Sequence, residues 1–421
     1  MKPLRTIILA AGKGTRFKSE TPKVLHHLAG KPVLQYVLDV AEAVGSLRTY
    51  VVVGHKADML KQAVTGRADV VLQQQQLGTA HAVRSCAGHF KGVKGDVLVM
   101  CGDTPLLDKQ VIRKLLVRHR KSGNVCTVLT ALLQDPSGYG RIIRDAKGSF
   151  MAIREHKDCS SEEAKVCEIN TGVYCFDAVA LFGSIHAVKC NAKKKEFYLT
   201  DVIELFRTRG VKVDAFVTND GTANLGLNTR AELALAEKIK RDRVLKALMD
   251  SGVTIVDPGT TYIEDDVSIG QDTIIHPCTY IHAGVRIGRD CSIGPFARLR
   301  PGTKLGRGVT IGNFTELSRS VLADGVTMKH FSFLGDARVG AGANIGAGAV
   351  TANYDGKNKN ITKIGRKAFI GCDTVLVAPV EVGDGAVAGA GSVVTPGRSI
   401  PAGMVGVGIP ARVIKKARRH E

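Results

Sequence analysis

The chain has 421 residues, 44% of them hydrophobic, enough for two or three independent cores, and two domains are expected. Its formal charge of +20 would draw any polyanion. Aromatics make up only 5%, however, and Trp is absent, so the stacking surface that nucleic-acid readers add is missing and nucleic acid is not expected as a partner.

The ten cysteines never fall in a CxxC pair, which argues against a zinc knuckle or dithiol site and for reduced, mostly buried thiols. The apolar run Ile7 to Ala11 is too short for a signal-peptide core, and no stretch reaches roughly 18 apolar residues, so membrane insertion is not expected and a cytoplasmic location is.

From Thr6 to about Val217, β-branched runs alternate with helix-like segments, the pattern of an α/β layered domain with a mostly parallel sheet. Ile7–Leu9, Tyr50–Val53, Val70–Leu72 and Val97–Cys101 read as its first four strands. Amphipathic stretches at Val33–Val44 and Thr79–Phe90 are long enough for crossover helices. Thr229 to Asp250 is rich in helix formers, has apolar residues at helical spacing and is followed by Gly252, which predicts one long connecting helix.

Beyond Gly252 the period changes. Ile263, Ile269, Ile275, Ile281, Ile287, Ile293, Leu299, Leu305, Ile311 and Leu317 recur every six residues. The spacing returns at Val339 and Ile345, breaks after Thr351, and resumes from Ile364 to Ile400. A six-residue period is incommensurate with an α-helix but suits a parallel β-helix, where one aliphatic residue per flat face stacks on its equivalents in adjacent coils. The interruption, Ala352 to Lys363, should loop outward. The expected domains are therefore 1–228, a linker helix at 229–252, and a hexapeptide-repeat β-helix at 253–421.

LAAGKGTR, Leu9 to Arg16, follows the first strand, and its glycines let backbone N–H groups turn toward a phosphate while Lys13 and Arg16 add charge. It lacks P-loop spacing, and a Gly-rich turn alone could be purely structural. TPKVL at Thr21, QLGTAHA at Gln76, GD at Gly102, GYGRI at Gly138, EHKD at Glu155, EINTG at Glu168 and GLNTR at Gly226 follow in order. With these marks the sequence resembles the sugar-nucleotide pyrophosphorylases, most closely the bacterial bifunctional N-acetylglucosamine-1-phosphate uridyltransferase/glucosamine-1-phosphate acetyltransferases.

The resemblance implies a Rossmann-like nucleotidyltransferase domain using UTP and N-acetylglucosamine 1-phosphate. It implies Asp103 and Asn228 as Mg²⁺ ligands, hard oxygen donors suited to that ion. Arg16 and Lys23 would hold the triphosphate, beside the backbone of Leu9, Ala10, Ala11 and Gly12. Gln73, Gly78 and Thr79 would contact the base, and Gly140, Glu155 and Asn170 the N-acetyl sugar. In-line displacement at phosphorus needs positioning and charge neutralisation more than covalent help, so such a set is chemically apt.

The repeat region carries RLRPG at Arg298, GNF at Gly312, LGD at Leu334, NIGAG at Asn344 and NYDG at Asn353, which resemble the acetyltransferase half of the same family. The resemblance implies a left-handed, trimeric β-helix with acyl sites built between neighbouring subunits, taking acetyl-CoA as co-substrate and glucosamine 1-phosphate as acceptor. His330 is the implied base, a role for which histidine is the usual residue type, with Glu316 assisting, Arg300 on phosphate, and Asn353 and Tyr354 on the sugar. Asn344, Ala347, Cys372 and Ala390 are the implied coenzyme positions. Four residues depart from the family pattern: Ser318 stands for Lys, Phe333 for Tyr, Cys372 for Ser and Gly408 for Arg, with Arg319 and Arg412 as nearby substitutes. Two other readings remain open: a monofunctional sugar-1-phosphate nucleotidyltransferase whose β-helix is an oligomerisation scaffold or serves another acyl acceptor, and an anionic-polymer binder using Lys193 to Lys195 and Lys415 to Arg419.

Overall fold

The computed structural model describes residues 2–191, 195–222 and 225–416. Lys193, Lys194 and the basic tail from Ala417 to Arg419 lie outside them. The chain divides into two compact units, Met1–Glu237 and Lys238–Glu421, the boundary falling within the helix Arg230–Asp250. Among the described residues no helix is long and apolar enough to cross a membrane.

The first unit is built on one sheet. Along its main path the strands run Val213–Thr218, Cys126–Leu132, Glu168–Asp177, Asp96–Cys101, Leu4–Leu9, Arg48–Val53 and Asp69–Leu72. Leu4–Leu9 pairs in parallel with both Arg48–Val53 and Asp96–Cys101, and the one long antiparallel member of the path is Glu168–Asp177. Successive side chains on a strand point to opposite faces, and here both faces are covered. Ile7, Val52 and Val99 enter one core while Ile8, Val51 and Met100 enter the other, all almost fully buried. That two-sided burial explains why the strands read as continuous apolar runs; each of the four begins one to three residues earlier than the pattern alone shows.

The crossover helix Val33–Ala43 matches its sequence signal, but the second does not stay whole: an α-helix at Thr79–Ser85 gives way to a 3₁₀ turn at Ala87–Phe90. Gly88 lies in that turn, where its low helix propensity weakens continuation.

The second unit is a three-sided parallel β-helix with sheets of ten, eight and seven short strands. Ile263 pairs with Ile281, Ile281 with Leu299 and Leu299 with Leu317, so each residue meets its equivalent eighteen positions on. Two successive coils are shorter: Leu305 pairs with Leu322 and Leu322 with Val339, each seventeen on. This is where the six-residue spacing read from sequence loses phase; Leu322, Met328 and Leu334 continue the inward column, all nearly fully buried. Between the strands Val350–Ala352 and Thr362–Ile364 the chain leaves the coil as expected. Glycine after the inward residue is a packing requirement at Gly312, where a Cβ would lie 1.8 Å from the Lys329 carbonyl oxygen of the next coil.

All ten thiols are free, but only four are buried (Cys86, Cys126, Cys175 and Cys291), which corrects the expectation that most would be. The β-helix has open corners, and Cys278 and Cys372 sit exposed outside its column of inward aliphatics.

Ile311, fully buried between Ile293 and Met328, tests the column. Ile311→Ala is expected to destabilise the β-helix by about 2–5 kcal/mol, seen as a lower urea midpoint for its unfolding transition.

Candidate active sites

In the first unit, loops at the carboxyl ends of the parallel strands enclose two adjoining cavities, the usual place for ligands on an open α/β sheet. The larger, about 540 Å³, takes the loop Leu9, Ala10, Ala11 and Gly12 on one side and Gln73, Gly78 and Thr79 on the other. The smaller, about 330 Å³, takes Glu155, Asn170, Tyr139 and Thr200. Thr79, Cys101, Asp103 and Tyr198 line both, so the cavities meet beside the Asp103 carboxylate.

Asp103 follows the strand Asp96–Cys101, and its backbone carbonyl accepts from Leu227 N at 2.9 Å, which holds the 226–228 segment against the strand end. The Lys23 ammonium forms an ion pair with Asp103 and donates to Asn228 Oδ1 at 3.2 Å. Two oxygens from distant parts of the chain thus converge on one cationic centre. A carboxylate and a carboxamide oxygen are the hard donors that Mg²⁺ takes, and their convergence on a cation fits that ion. No cluster of three or more His, Cys, Asp or Glu that could hold a metal occurs among the described residues, so water and phosphate oxygens would have to complete any coordination. Glu232, in the first turn of the long helix, accepts from Asn228 N and Thr229 N and so fixes the Asn228 backbone.

Gly78 has φ of 100°, and a Cβ there would lie 2.5 Å from the Phe197 carbonyl oxygen. The 197–199 segment is tied to this loop: Phe197 N donates to Leu77 O, Ala80 N to Phe197 O, and Leu199 N to Thr79 Oγ1. These bonds bring Tyr198 into both cavities. Gly140 stands behind Asn170, its carbonyl accepting from Asn170 N at 2.8 Å. Asn170 Nδ2 donates to Tyr174 Oη at 2.7 Å. The neighbouring Arg141 is 1% exposed and donates to the Pro136 and Tyr139 carbonyls, pinning the turn that presents Tyr139 and Gly140. Asp201, just past Thr200, has its carboxyl pushed up to about 6 by burial and by the nearby charges of Glu204 and Glu155. Arg16 stands apart, exposed on the 3₁₀ turn Thr15–Phe17 and lining neither cavity.

In the β-helix, His330, Ala347, Cys372 and Ala390 each lie two residues beyond Met328, Ile345, Ile370 and Ala388, which are register partners in successive coils. Those four residues therefore form one column along a corner of the helix. His330 is exposed and has no hydrogen-bond partner among the described residues. Asn344, on the strand leading to that corner, accepts from Thr327 Oγ1 at 2.9 Å.

On the adjoining face Glu316 is the register partner of Arg298 and Phe333 and accepts from Arg300 Nη1 at 2.9 Å. Asn353 opens the outward loop and donates to Asp336; Tyr354 beside it is exposed, its hydroxyl donating to Gly356 O at 2.7 Å. Arg319 forks onto both oxygens of Asp336 at 2.7 and 2.8 Å and donates to Ser318 Oγ at 3.0 Å, so its guanidinium is engaged within the chain. That pairing holds the Asp336 carboxyl below its usual range. Gly408 N donates to Ser392 Oγ, and Arg412 is exposed on the last strand.

Residues 6–159 match the MobA-like NTP transferase domain, residues 284–319 the bacterial transferase hexapeptide with six repeats, and residues 361–396 the hexapeptide repeat of succinyl-transferase. The bifunctional protein GlmU of Pelotomaculum thermopropionicum is 44% identical over 411 residues, 90% of each chain. That of Geobacillus thermodenitrificans is 43% identical and that of Bacillus subtilis 42%, each over 94% of both chains. This chain belongs to the GlmU family. Its β-helix is accordingly the left-handed hexapeptide type.

Within this GlmU-family fold, Cys101, Tyr139, Tyr198 and Thr200 line the cavities without having stood out in the sequence. Tyr139 lies inside the GYGRI motif and Cys101 directly before GD, so proximity to a motif was the available signal; Tyr198 and Thr200 carry none. Cys101 is half-buried in the shared cavity wall, and the loss of water around its sulfur, with the Asp103 carboxylate beside it, pushes the thiol up to about 12. At about pH 8 it is therefore the neutral thiol, and iodoacetamide should modify the exposed Cys167 at least ~10-fold faster than Cys101, as peptide mass mapping would report.

Proposed function

We propose a division of labour for this bifunctional uridylyltransferase and acetyltransferase in which the adjoining cavities of the first unit receive UTP and N-acetylglucosamine 1-phosphate, and the corner carrying His330 receives acetyl-CoA and glucosamine 1-phosphate. The observation that supports it most directly is the meeting of the two cavities at Asp103, beside the Lys23 ammonium and Asn228. A nucleotide in one cavity and a sugar phosphate in the other would bring their phosphates together at that point.

On this reading a phosphate oxygen of the sugar attacks the α-phosphorus of UTP, the α–β bridging bond breaks, and pyrophosphate departs with the electron pair. Asp103 and Asn228 would hold Mg²⁺, which when bound neutralises phosphate charge. Lys23, with Arg16 on the flanking turn, would offset charge on the triphosphate, and the N–H groups of the Leu9 to Gly12 loop would orient it. Gln73, Gly78 and Thr79 would seat the uracil, while Glu155, Asn170 and Gly140 hold the N-acetyl sugar.

In the acyl transfer the free amine attacks the thioester carbonyl. The His330 imidazole accepts the ammonium proton as the nitrogen–carbon bond forms, and the carbon–sulfur bond breaks to release coenzyme A as its thiol once protonated. Glu316 would support the histidine, Arg300 the sugar phosphate, and Asn353 and Tyr354 the sugar ring. Asn344, Ala347, Cys372 and Ala390 would line the coenzyme. His330 is exposed within one chain, which favours a homotrimer in which a neighbouring subunit completes the pocket. Ten free thiols suit the cytoplasm, and segments 1–228, 229–252 and 253–421 would be the functional divisions.

Asp103→Ala is expected to abolish pyrophosphate release from UTP and N-acetylglucosamine 1-phosphate while thiol release from acetyl-CoA stays within about twofold. His330→Ala should do the reverse, lowering thiol release about 10²–10⁴-fold with pyrophosphate release intact. Loss of both activities in either folded variant would contradict two separate sites.

A further inference from the structure

Gln73 follows the edge strand Asp69–Leu72: its backbone N donates to Val53 O at 2.7 Å, and the residue itself is only 3% exposed although it lines the larger cavity. Its side-chain Nε2 lies 3.1 Å from Gly78 O and 3.0 Å from His81 Nδ1. A carbonyl oxygen can only accept, so the amide atom facing Gly78 O must be the NH₂ group. One of its two hydrogens goes to that carbonyl. The other points at His81 Nδ1, which must then be an unprotonated acceptor, leaving the ring proton on Nε2. Burial, with Arg84 alongside, lowers the imidazole pKa against an opposing backbone hydrogen bond to Gln75, which favours the neutral ring that the Gln73 contact requires. With both amide hydrogens engaged, Gln73 Oε1 is the group left to a ligand; it takes no donor among the described residues and is not sealed from the cavity.

We infer that His81 is a positioning residue for base selection: by accepting the second amide hydrogen it locks Gln73 with its oxygen toward the cavity, so that the site takes pyrimidines carrying N3–H and rejects cytosine. The inference rests on the uridylyl reading and deepens it. An acceptor oxygen complements the N3–H of uracil, whereas cytosine offers a lone pair at N3, and two acceptors face to face leave both unpaired. His81 does not line the cavity, so it acts through Gln73 and not on the base.

The test measures kcat/KM for UTP and for CTP with N-acetylglucosamine 1-phosphate in the wild type, His81→Leu and His81→Asn. Leucine removes the acceptor, and asparagine can return an oxygen near the Nδ1 position. The UTP-over-CTP preference is expected to fall at least ~10-fold in His81→Leu, with kcat for UTP within about threefold of wild type, and to recover to within about threefold in His81→Asn. An unchanged preference in His81→Leu, or equal losses with both nucleotides, would overturn the role of His81 while leaving uridylyl transfer standing. A wild type inactive with UTP would instead remove the uridylyl reading itself. Should His81→Leu fail to fold, the ¹⁵N imidazole signals of the wild-type protein near neutral pH decide: a bare Nδ1 on His81 supports the lock, and a protonated Nδ1 overturns it.

Discussion

Asp103 and Asn228 carry oxygens that would repel one another if brought together with nothing between them, and in this fold the Lys23 ammonium lies between them. Each comes from a different part of the first unit: Lys23 from the turn after the glycine-rich loop, Asp103 from the end of a central strand, Asn228 from the approach to the long helix. The backbone bond from Leu227 N to Asp103 O and the Glu232 carboxylate beneath Asn228 hold that meeting in place. The cavities on either side take their shared wall from it. A buried or half-buried carboxylate needs a counter-charge, so whichever cation occupies this point governs how the loops around it sit.

Elements whose side chains face two packed layers were the most readable from sequence. Ile7–Leu9 and Val97–Cys101 are continuous apolar runs because packed layers cover both faces of the sheet there, and such runs need no tertiary information to recognise. The six-residue ladder from Ile263 to Leu317 was equally plain, since each inward residue is an aliphatic of similar size. What sequence could not carry was the pair of shorter coils between Leu305 and Val339. Two missing residues, one in each coil, erased the spacing between Leu317 and Val339, although Leu322, Met328 and Leu334 keep the column going. A backbone with φ of 49° at Arg319 lies within the first tightened turn and one with φ of 52° at Asp336 within the second, and conformations of that kind leave no periodic trace in the sequence.

The site divided along similar lines. Gly78, Asp103 and Glu155 lie in recognisable motifs, and the fold gathers them around two adjoining cavities. Tyr198 lines both cavities and Thr200 the smaller one because Phe197 N donates to Leu77 O and Leu199 N to Thr79 Oγ1, a tertiary arrangement with no local signature. Arg16 illustrates the opposite case: its motif marked it for phosphate, yet its exposed place on a 3₁₀ turn keeps it outside both cavities within this chain. In the β-helix, His330 and the three positions aligned with it looked unrelated along the sequence, at spacings of 17, 25 and 18 residues; pairing of successive coils makes them one line.

The contact of Gly78 with Phe197 has a mechanical consequence. Because the two stretches share three backbone or side-chain bonds and leave no room for a methyl group, neither can shift alone. A base that pulls on Gly78 and Thr79 would drag Tyr198 and Thr200 with it, and these border the space where the sugar would lie. Arrival of one substrate would in this way reshape the berth of the other, and an ordered sequence of binding would need no dedicated moving lid.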